Sequence, residues 1–110
     1  MTYKIVVTDY FKKQVKRLKK KDRLIKKHLI NGLSNFSKSK AIHIGHGVYK
    51  LRLNRDGKGK SGGYRVYIFV IETDGILAPI CIYAKSTKES ISLLQIATHL
   101  ENVKVELKYL

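Results

Sequence analysis

The feature that most constrains the fold of this chain is a glycine-rich polar run, residues 54–65, set between stretches of strand-forming sequence. Residues 49–53 alternate polar and apolar side chains, and residues 64–71 and 76–84 are rich in Val, Ile, Tyr and Phe. Alternation and β-branched content predict strands, whereas clustered glycine and charge predict a loop. The Asp-Gly at residues 74–75 favours positive φ and predicts a hairpin turn, so we expect a mainly antiparallel sheet.

Helical patterns flank this region on both sides. Residues 3–7 are a short β-branched run, the predicted first strand, and two amphipathic segments after it predict a helical hairpin. Thr8 or Asp9 is expected to cap the first helix and Asp22 the second. The apolar stripes are Phe11, Val15 and Leu18, then Ile25, Leu29, Leu33 and Phe36.

The rest of the chain predicts a loop, a strand irregularity and a last helix. Residues 37–47 are polar and are expected to be a loop, and Pro79 marks a bulge, an edge or an unpaired strand start. Ser86 and Glu89 match a capping box, so a helix is expected from there to about Glu101 and onward, although residues 103–109 also alternate with period 2. The expected fold class is α+β: a small, mainly antiparallel sheet packed by an N-terminal helical hairpin and a C-terminal helix.

Composition narrows the possible partners. The formal net charge is +15 and the sequence pI is about 10.0, which is typical of a domain that meets nucleic acid, an acidic membrane surface or an acidic protein. Residues 12–27 hold ten Lys or Arg and a single acid, Asp22. This run is either a solvated outer face or a landing surface for RNA. We favour nucleic acid because basic residues recur around the glycine-rich loop with interleaved tyrosines.

Length and cysteine usage fit one cytoplasmic domain. At 110 residues with 44% hydrophobic content, the chain is expected to form a single domain over residues 1–110. The start of the chain is too short and mixed for a signal peptide, and no apolar run approaches the length of a membrane span. Cys81 is the one cysteine and is expected to be a buried core residue in a protein of the reducing cytoplasm. His43 and His46 lack a carboxylate or cysteine cluster to complete a metal site, so we expect surface histidines and no metal.

The predicted strands and loop bring five cations to one end of the sheet. Cations on rigid strands beside a glycine-rich loop suit a phosphodiester. These residues are Arg52, Lys58, Lys60, Arg65 and Lys85.

Three segments resemble the RelE/ParE superfamily of toxins, and within it the HigB-like RelE branch. They are Tyr-Lys-Leu-Arg at residues 49–52, Gly-Lys-Gly-Lys-Ser-Gly-Gly-Tyr-Arg-Val at 57–66 and Ile-Tyr-Ala-Lys-Ser-Thr-Lys-Glu at 82–89. The resemblance implies the RelE-like fold and a toxin of a type II toxin–antitoxin pair, which enters the ribosomal A site and cuts mRNA there. It implies partners as well: a cognate antitoxin, acidic or amphipathic, and the ribosome with its rRNA and mRNA. No cofactor and no membrane are implied.

The resemblance also assigns residues. The matching catalytic positions are Arg65, Lys85, Arg52 and Lys60, basic residues rather than a histidine pair. Residues expected to hold RNA around them are Lys58, Lys50, Lys88, Tyr67, Tyr83, Lys16 and Lys20. In cleavage by internal transfer, an arginine fork fits the oxygens of the phosphorane. We assign stabilisation of the phosphorane to Arg65, with Arg52 assisting. Lys85 is our first choice for an acid or base, against the alternative that the lysines only bind phosphates.

Departures from the family pattern leave other functions open. Ser86 stands where better-known relatives have an arginine, and Ser92 stands approximately where they have a tyrosine. Tyr67 or Tyr83 supplies a phenol only if its side chain faces the cleft. One alternative is a ParE-like gyrase inhibitor that cuts no RNA, and another is a non-catalytic RNA-binding module that stacks bases on tyrosines.

Overall fold

The computed structural model describes residues 3–55, 59–88 and 90–109, without the side chains of residues 55 and 59–62. Its helices and strands form an α+β fold, which confirms the predicted class. The elements are β1 (Lys4–Ile5), α1 (Asp9–Lys19), α2 (Ile25–Ser34), β2 (Ile42–Gly45), β3 (Val48–Arg55), β4 (Gly59–Ile71), β5 (Ile76–Ala84) and α3 (Leu93–Leu107).

In the described part of the chain the strands form one sheet in the order β1-β5-β4-β3-β2. The β1–β5 pair is parallel and the other pairs are antiparallel. The β4–β5 connection closes at Gly75, which has a left-handed φ of 63° that glycine adopts without steric cost, as predicted for the hairpin. The register shifts between Tyr67 and Ile68, opposite Pro79, so the proline marks a bulge in β5.

The two faces of the sheet carry separate cores. The helices α1 and α2 cover one face, where Phe11, Ile25 and Leu33 pack with Val66 and Ile68. The helix α3 covers part of the other face, and its Ile96, Leu100 and Val103 pack with sheet residues that include Ile80 and Tyr67. Both amphipathic stripes predicted for the hairpin are therefore used as expected, with Leu18 and Phe36 at the margin of the core.

One edge of the sheet is completed by a side chain. Among the described residues, β1 pairs with β5 at Ile76 and Leu77. Farther along β5, the Gln14 side chain donates to Ile80 O at 3.1 Å and accepts from Ile82 N at 3.1 Å. The amide of α1 thus supplies the donor and acceptor that a neighbouring strand would offer.

Two local predictions were wrong. Residues 42–45 form β2 rather than a loop, because they pair with Lys50, Tyr49 and Val48 of β3. A helix does not open at Ser86: Thr87 N donates to Ala84 O, so the chain uses these residues to turn after β5. The helix instead begins after Ser92, whose side chain accepts from Gln95 N in a reciprocal capping box.

The expected cap at Asp22 is also different. Residue Leu24 is the N-cap of α2, and Asp22 Oδ1 accepts the Leu24 N–H at 3.0 Å, one residue before the helix. Its other oxygen accepts from Tyr64 OH at 2.6 Å, because the carboxylate is buried between the hairpin and β4. The predicted caps at Thr8 and the extension of α3 beyond Glu101 are confirmed.

No helix among the described residues combines the length and the apolar character needed to cross a membrane.

Candidate functional site

Two rows of side chains cross the sheet on the face that α3 only partly covers. In the ladder Arg52 lies opposite Arg65, and Arg65 lies opposite Tyr83. The adjacent row is Lys50, Tyr67 and Cys81. Directly opposed residues point to the same side of a sheet, so these six side chains share one surface, which we call the site face.

The arginine pair is unusual for a ladder position. Like charges directly opposite each other destabilise a sheet, yet Arg52 and Arg65 occupy such a pair. Arg52 is exposed, whereas Arg65 is 4% exposed and donates from NH1 to Tyr64 O at 3.4 Å. Arg52 is therefore open to an anion from solvent, whereas Arg65 belongs to the buried part of the site face.

The predicted Lys85 lies at the same end. It directly follows β5, and its backbone N–H donates to Gly63 O at 2.9 Å, which extends the β4–β5 pairing by one row beyond the Tyr64–Ala84 pair. A Cβ on Gly63 would lie 2.4 Å from Leu53 O, so only glycine allows β3 and β4 to approach this closely beside the arginines. Strand pairing thus brings Arg52, Arg65 and Lys85 to one end of the sheet, as the sequence predicted.

The two tyrosines of the site face lie under lysines. Lys50 Nζ lies 5.9 Å from the centre of the Tyr67 ring, and Lys88 Nζ lies 5.2 Å from that of Tyr83. The two phenol oxygens are 3.4 Å apart. Tyr67 is 1% exposed and Tyr83 7%, so the rings support the cations from below, and a base has little ring surface on which to stack in this conformation.

The surroundings of Tyr83 keep its phenol protonated and therefore neutral. Burial raises its pKa well above the ordinary tyrosine value, the hydrogen bond with Tyr67 raises it further, and the nearby Arg65 opposes the rise. A phenol held neutral donates a hydrogen bond and does not remove a proton. Tyr83 faces the site as the sequence analysis required, but its chemistry suits a donor rather than a general base.

A groove between α1 and α3 continues the site face around the edge of β5. It has a volume of about 530 Å³ and includes Tyr83 and Lys88 in its lining. Lys13 and Arg17 of α1 line it from the other side. A chain of cations therefore runs from Arg52 through Arg65 and Lys88 to α1.

Sequence reasoning missed Lys13 and Arg17 and selected Lys16 and Lys20 instead. Lys16 lines a different groove, between α1 and α2, and Lys20 is the C-cap of α1. The i,i+4 spacing of Lys13 and Arg17 gives no signal, because Lys16 and Lys20 share it. Only the docking of α1 against β5 shows which basic face lies beside Tyr83.

Other predicted residues are placed as follows. Lys58 lies outside the described residues, and Lys60 belongs to β4 with its side chain outside them. Arg52 also borders a groove lined by Lys27 and Asn31 of α2, at the outer edge of β3.

A buried polar contact supports the site from the opposite face. Tyr64, next to Arg65 in β4, donates its hydroxyl to Asp22 at 2.6 Å, and His28 Nε2 lies 4.0 Å from the same carboxylate. This contact fixes β4 against the helical hairpin at the residue that precedes Arg65.

Cys81, His43 and His46 are placed as the sequence predicted. Burial raises the pKa of the Cys81 thiol to about 11, so it stays protonated and behaves as the buried core residue that was predicted. His43 and His46 are both exposed. In the part of the chain that the structure describes, no group of three or more His, Cys, Asp or Glu residues is placed to hold a metal ion.

Comparison with known proteins gives two matches. A profile of the family described as "RelE toxin of RelE / RelB toxin-antitoxin system" matches residues 7–108. Among solved structures, the chain is similar to a mutant of the E. coli toxin RelE in the free state, with a TM-score of 0.51 and 20% sequence identity over 81% of this chain and 90% of that chain. At this identity, the structural likeness supports the fold alone. A comparison with curated protein sequences finds no match.

Proposed function

The chain belongs to the RelE toxin family, and from that premise we propose that it is an endoribonuclease that cuts mRNA in the ribosomal A site. The observation that carries the proposal is the direct opposition of Arg52 and Arg65 across the β3–β4 ladder, with Lys85 following at the end of β5. Three cations at one end of a sheet suit a single phosphate better than they suit the stability of the sheet.

The proposed reaction is an internal transfer. The 2′-hydroxyl of the ribose gives its proton to water and its oxygen attacks the phosphorus. The bond to the 5′-oxygen breaks and the 5′-oxygen takes a proton, which leaves a 2′,3′-cyclic phosphate. We assign the non-bridging oxygens of the phosphorane to Arg65 and Arg52, because guanidinium forks bind phosphate oxygens bidentately. A lysine in its charged form is a donor, so Lys85 is assigned the proton for the leaving oxygen.

The groove between α1 and α3 supplies the path for the adjoining nucleotides. Lys88, Lys13 and Arg17 line it beyond Tyr83 and are assigned to flanking phosphates of the same strand. These contacts position the RNA and carry no sequence information.

The test is mRNA cleavage on programmed ribosomes, followed by mapping of the new 5′ ends. Loss of one preorganised donor costs on the order of 100-fold in rate, so Arg52→Ala, Lys85→Ala and Arg65→Lys are each expected to cut at least that much more slowly. Arg65→Lys is preferred to Arg65→Ala, because the side chain is buried and truncation would leave a cavity. Lys40→Ala, an exposed lysine on the turn before β2, is the matched control and should cut normally.

Unchanged cleavage in all three variants would show that the opposed arginines are not the reactive site. If the chain cuts no mRNA on programmed ribosomes and instead blocks DNA supercoiling by gyrase, the ParE-like alternative holds. Tight binding of naked RNA without cleavage would indicate a non-catalytic RNA-binding module.

A further inference from the structure

A buried carboxylate lies behind the site face, on the opposite side of the sheet. Asp22 belongs to the turn between α1 and α2 and is 6% exposed. One of its oxygens accepts the Leu24 N–H at 3.0 Å, and the other accepts the Tyr64 hydroxyl at 2.6 Å. A buried carboxylate needs hydrogen-bond donors in place of water, and the backbone N–H and the phenol supply two. Asp22 therefore ties β4 to the turn of the helical hairpin.

Tyr64 connects the two faces of the sheet. Its side chain packs in the core between the hairpin and the sheet. Its carbonyl oxygen accepts from Arg65 NH1 at 3.4 Å, and Arg65 projects to the opposite face because successive strand residues alternate. A hydrogen bond of this length weakens steeply when its partners move apart. A small shift of Tyr64 therefore changes the hold on the Arg65 guanidinium.

The hydrogen bonds of the sheet and the bond to Asp22 act in different directions. Tyr64 lies opposite Leu53 of β3 and Ala84 of β5, and the bonds of these ladders lie in the plane of the sheet. The bond between Tyr64 and Asp22 acts across that plane, from the hairpin side. It holds β4 along the direction in which Arg65 projects toward the site face.

We propose that Asp22 and Tyr64 are positioning residues for Arg65. The hydrogen bond between them holds the β4 backbone at the height from which the guanidinium meets the phosphorane. The inference rests on the proposed endoribonuclease function and assigns both residues to the rate of the chemical step. Both side chains are buried on the side of the sheet away from the RNA, so their loss affects the reaction through Arg65 and leaves ribosome binding intact.

The experiment measures single-turnover mRNA cleavage by the full chain at saturating programmed ribosomes, and its Kd for the same ribosomes. Tyr64→Phe removes the hydroxyl and keeps the ring. We expect the cleavage rate constant to fall by about 10- to 100-fold and Kd to change by less than about twofold. Asp22→Asn keeps an acceptor for Leu24 N and should act in the same direction. Tyr49→Phe is the matched control, because it makes the same change on the same face of β3, where the ring packs on Phe36.

A double variant separates positioning from stability. A lysine at residue 65 lacks the fork that the Tyr64 carbonyl aligns. In the Arg65→Lys background we therefore expect Tyr64→Phe to slow cleavage by less than about twofold. A general loss of stability would slow cleavage equally in both backgrounds. Urea unfolding establishes that each variant is folded at the assay temperature, and Tyr64→Phe decides the matter if Asp22→Asn does not fold.

A measurement without RNA tests the link independently of the reaction. In isotope-labelled chain, the Arg65 Nε–H signal in an NMR spectrum is identified by its loss in Arg65→Lys. We expect this proton to exchange with water at least about tenfold faster in Tyr64→Phe, because a less firmly held guanidinium opens to solvent more often. In Tyr49→Phe the exchange rate should be unchanged.

Equal cleavage rates for Tyr64→Phe and Tyr49→Phe overturn the inference, as does an equal loss of rate in the two backgrounds at residue 65. A weaker affinity for ribosomes with an unchanged rate at saturation also overturns it, since Tyr64 would then act on binding. If the unmodified chain cuts no mRNA, the proposed function fails and the Arg65 signal decides alone. Faster exchange in Tyr64→Phe then supports the positioning link, and unchanged exchange overturns it.

Discussion

At the scale of single residues, Gln14 shows how one side chain closes the sheet. The half of β5 beyond Leu77 faces α1 instead of a strand, and its backbone groups at Ile80 and Ile82 bond to the Gln14 amide. A carboxamide carries one acceptor and one donor group in nearly the geometry of a peptide, which explains why glutamine satisfies both. Tyr83, which follows directly in the same strand, depends on this edge for its position.

Replacing Gln14 by Ala leaves a donor and an acceptor without their partner at a half-buried edge. We expect the free energy of unfolding to fall by about 1–3 kcal/mol and the Ile82 amide to exchange with solvent faster. Chemical denaturation and hydrogen exchange by NMR measure the two effects. Lys13→Ala, one residue earlier and exposed, should change neither; equal losses in both variants would argue against the role of the amide.

Single residues of the site were predictable where strand alternation decides them. Period-2 patterns place Arg52 and Arg65 on a shared face once the strands pair, and the structure pairs them directly. The burial of Tyr67 was not predictable, because it depends on the packing of α3 and on Lys50 lying over the ring. The contribution of Lys13 and Arg17 depends on the docking of α1, about which the sequence is silent.

At the scale of elements, the start of α1 is hydrogen-bonded to the last part of α3. The Glu106 carboxylate of α3 accepts from Asp9 N at 2.8 Å and from Tyr10 N at 2.9 Å, while Thr8 caps Phe11 N. Three first-turn N–H groups of α1 are thus satisfied, two of them by a residue at the other end of the chain. A negative charge at this position also complements the helix dipole.

Glu106→Ala removes both bonds and is expected to reduce the free energy of unfolding by about 1–2 kcal/mol. Glu101→Ala, an exposed glutamate of the same helix, is the control and should stay within about 0.5 kcal/mol of the unmodified chain. Urea unfolding measures both. Equal destabilisation of the two variants would mean that the helix loses stability for a reason other than the α1 cap.

A second link between these helices responds to pH. The Tyr10 hydroxyl and His99 Nδ1 are 2.5 Å apart, and burial, aided by Lys88, lowers the pKa of His99. A histidine whose folded pKa lies below its unfolded value of about 6.5 contributes fully above that pH and loses the contribution as the pH falls. We therefore expect Tm to fall between about pH 7.5 and about pH 5.5, and to fall less in His99→Gln.

The exposed His43 is the matched control for this measurement, made by differential scanning calorimetry. His43→Gln should keep the full pH dependence. If His99→Gln has the same slope as the unmodified chain, another group controls the acid side.

Elements were predictable to the extent that their patterns are long. The stripes of α1 and α2 and the alternation of β3 to β5 extend over many residues and specify their partners. By contrast β2 is four residues long, contains His43 and Gly45, and exists because β3 offers it an open edge. Two capping-box patterns compete before α3, and Ser92 prevails over Ser86 because the chain must first turn at Thr87.

At the scale of the whole molecule, the cations behind the net charge of +15 lie on different surfaces. On α1 alone, Lys13 and Arg17 line the groove beside Tyr83, whereas Lys12 and Lys19 line a separate groove between α1 and α2. The composition indicates an anionic partner but not that one helix presents two basic faces to two surfaces. One basic helix therefore borders two separate grooves, and its two faces can be tested separately.

Two double variants of equal charge separate these faces. Lys13→Gln with Arg17→Gln should weaken ribosome binding and lower the slope of log K against log salt by about 1 to 2, because each lost phosphate contact removes roughly one unit of slope. Lys12→Gln with Lys19→Gln removes the same charge from the other face and should leave that slope nearly unchanged. Lys16→Gln, on the second face, tests the residue that the sequence selected for RNA. Equal slopes for the two pairs would mean that the ribosome responds to total charge, and that the groove beside Tyr83 does not guide the RNA.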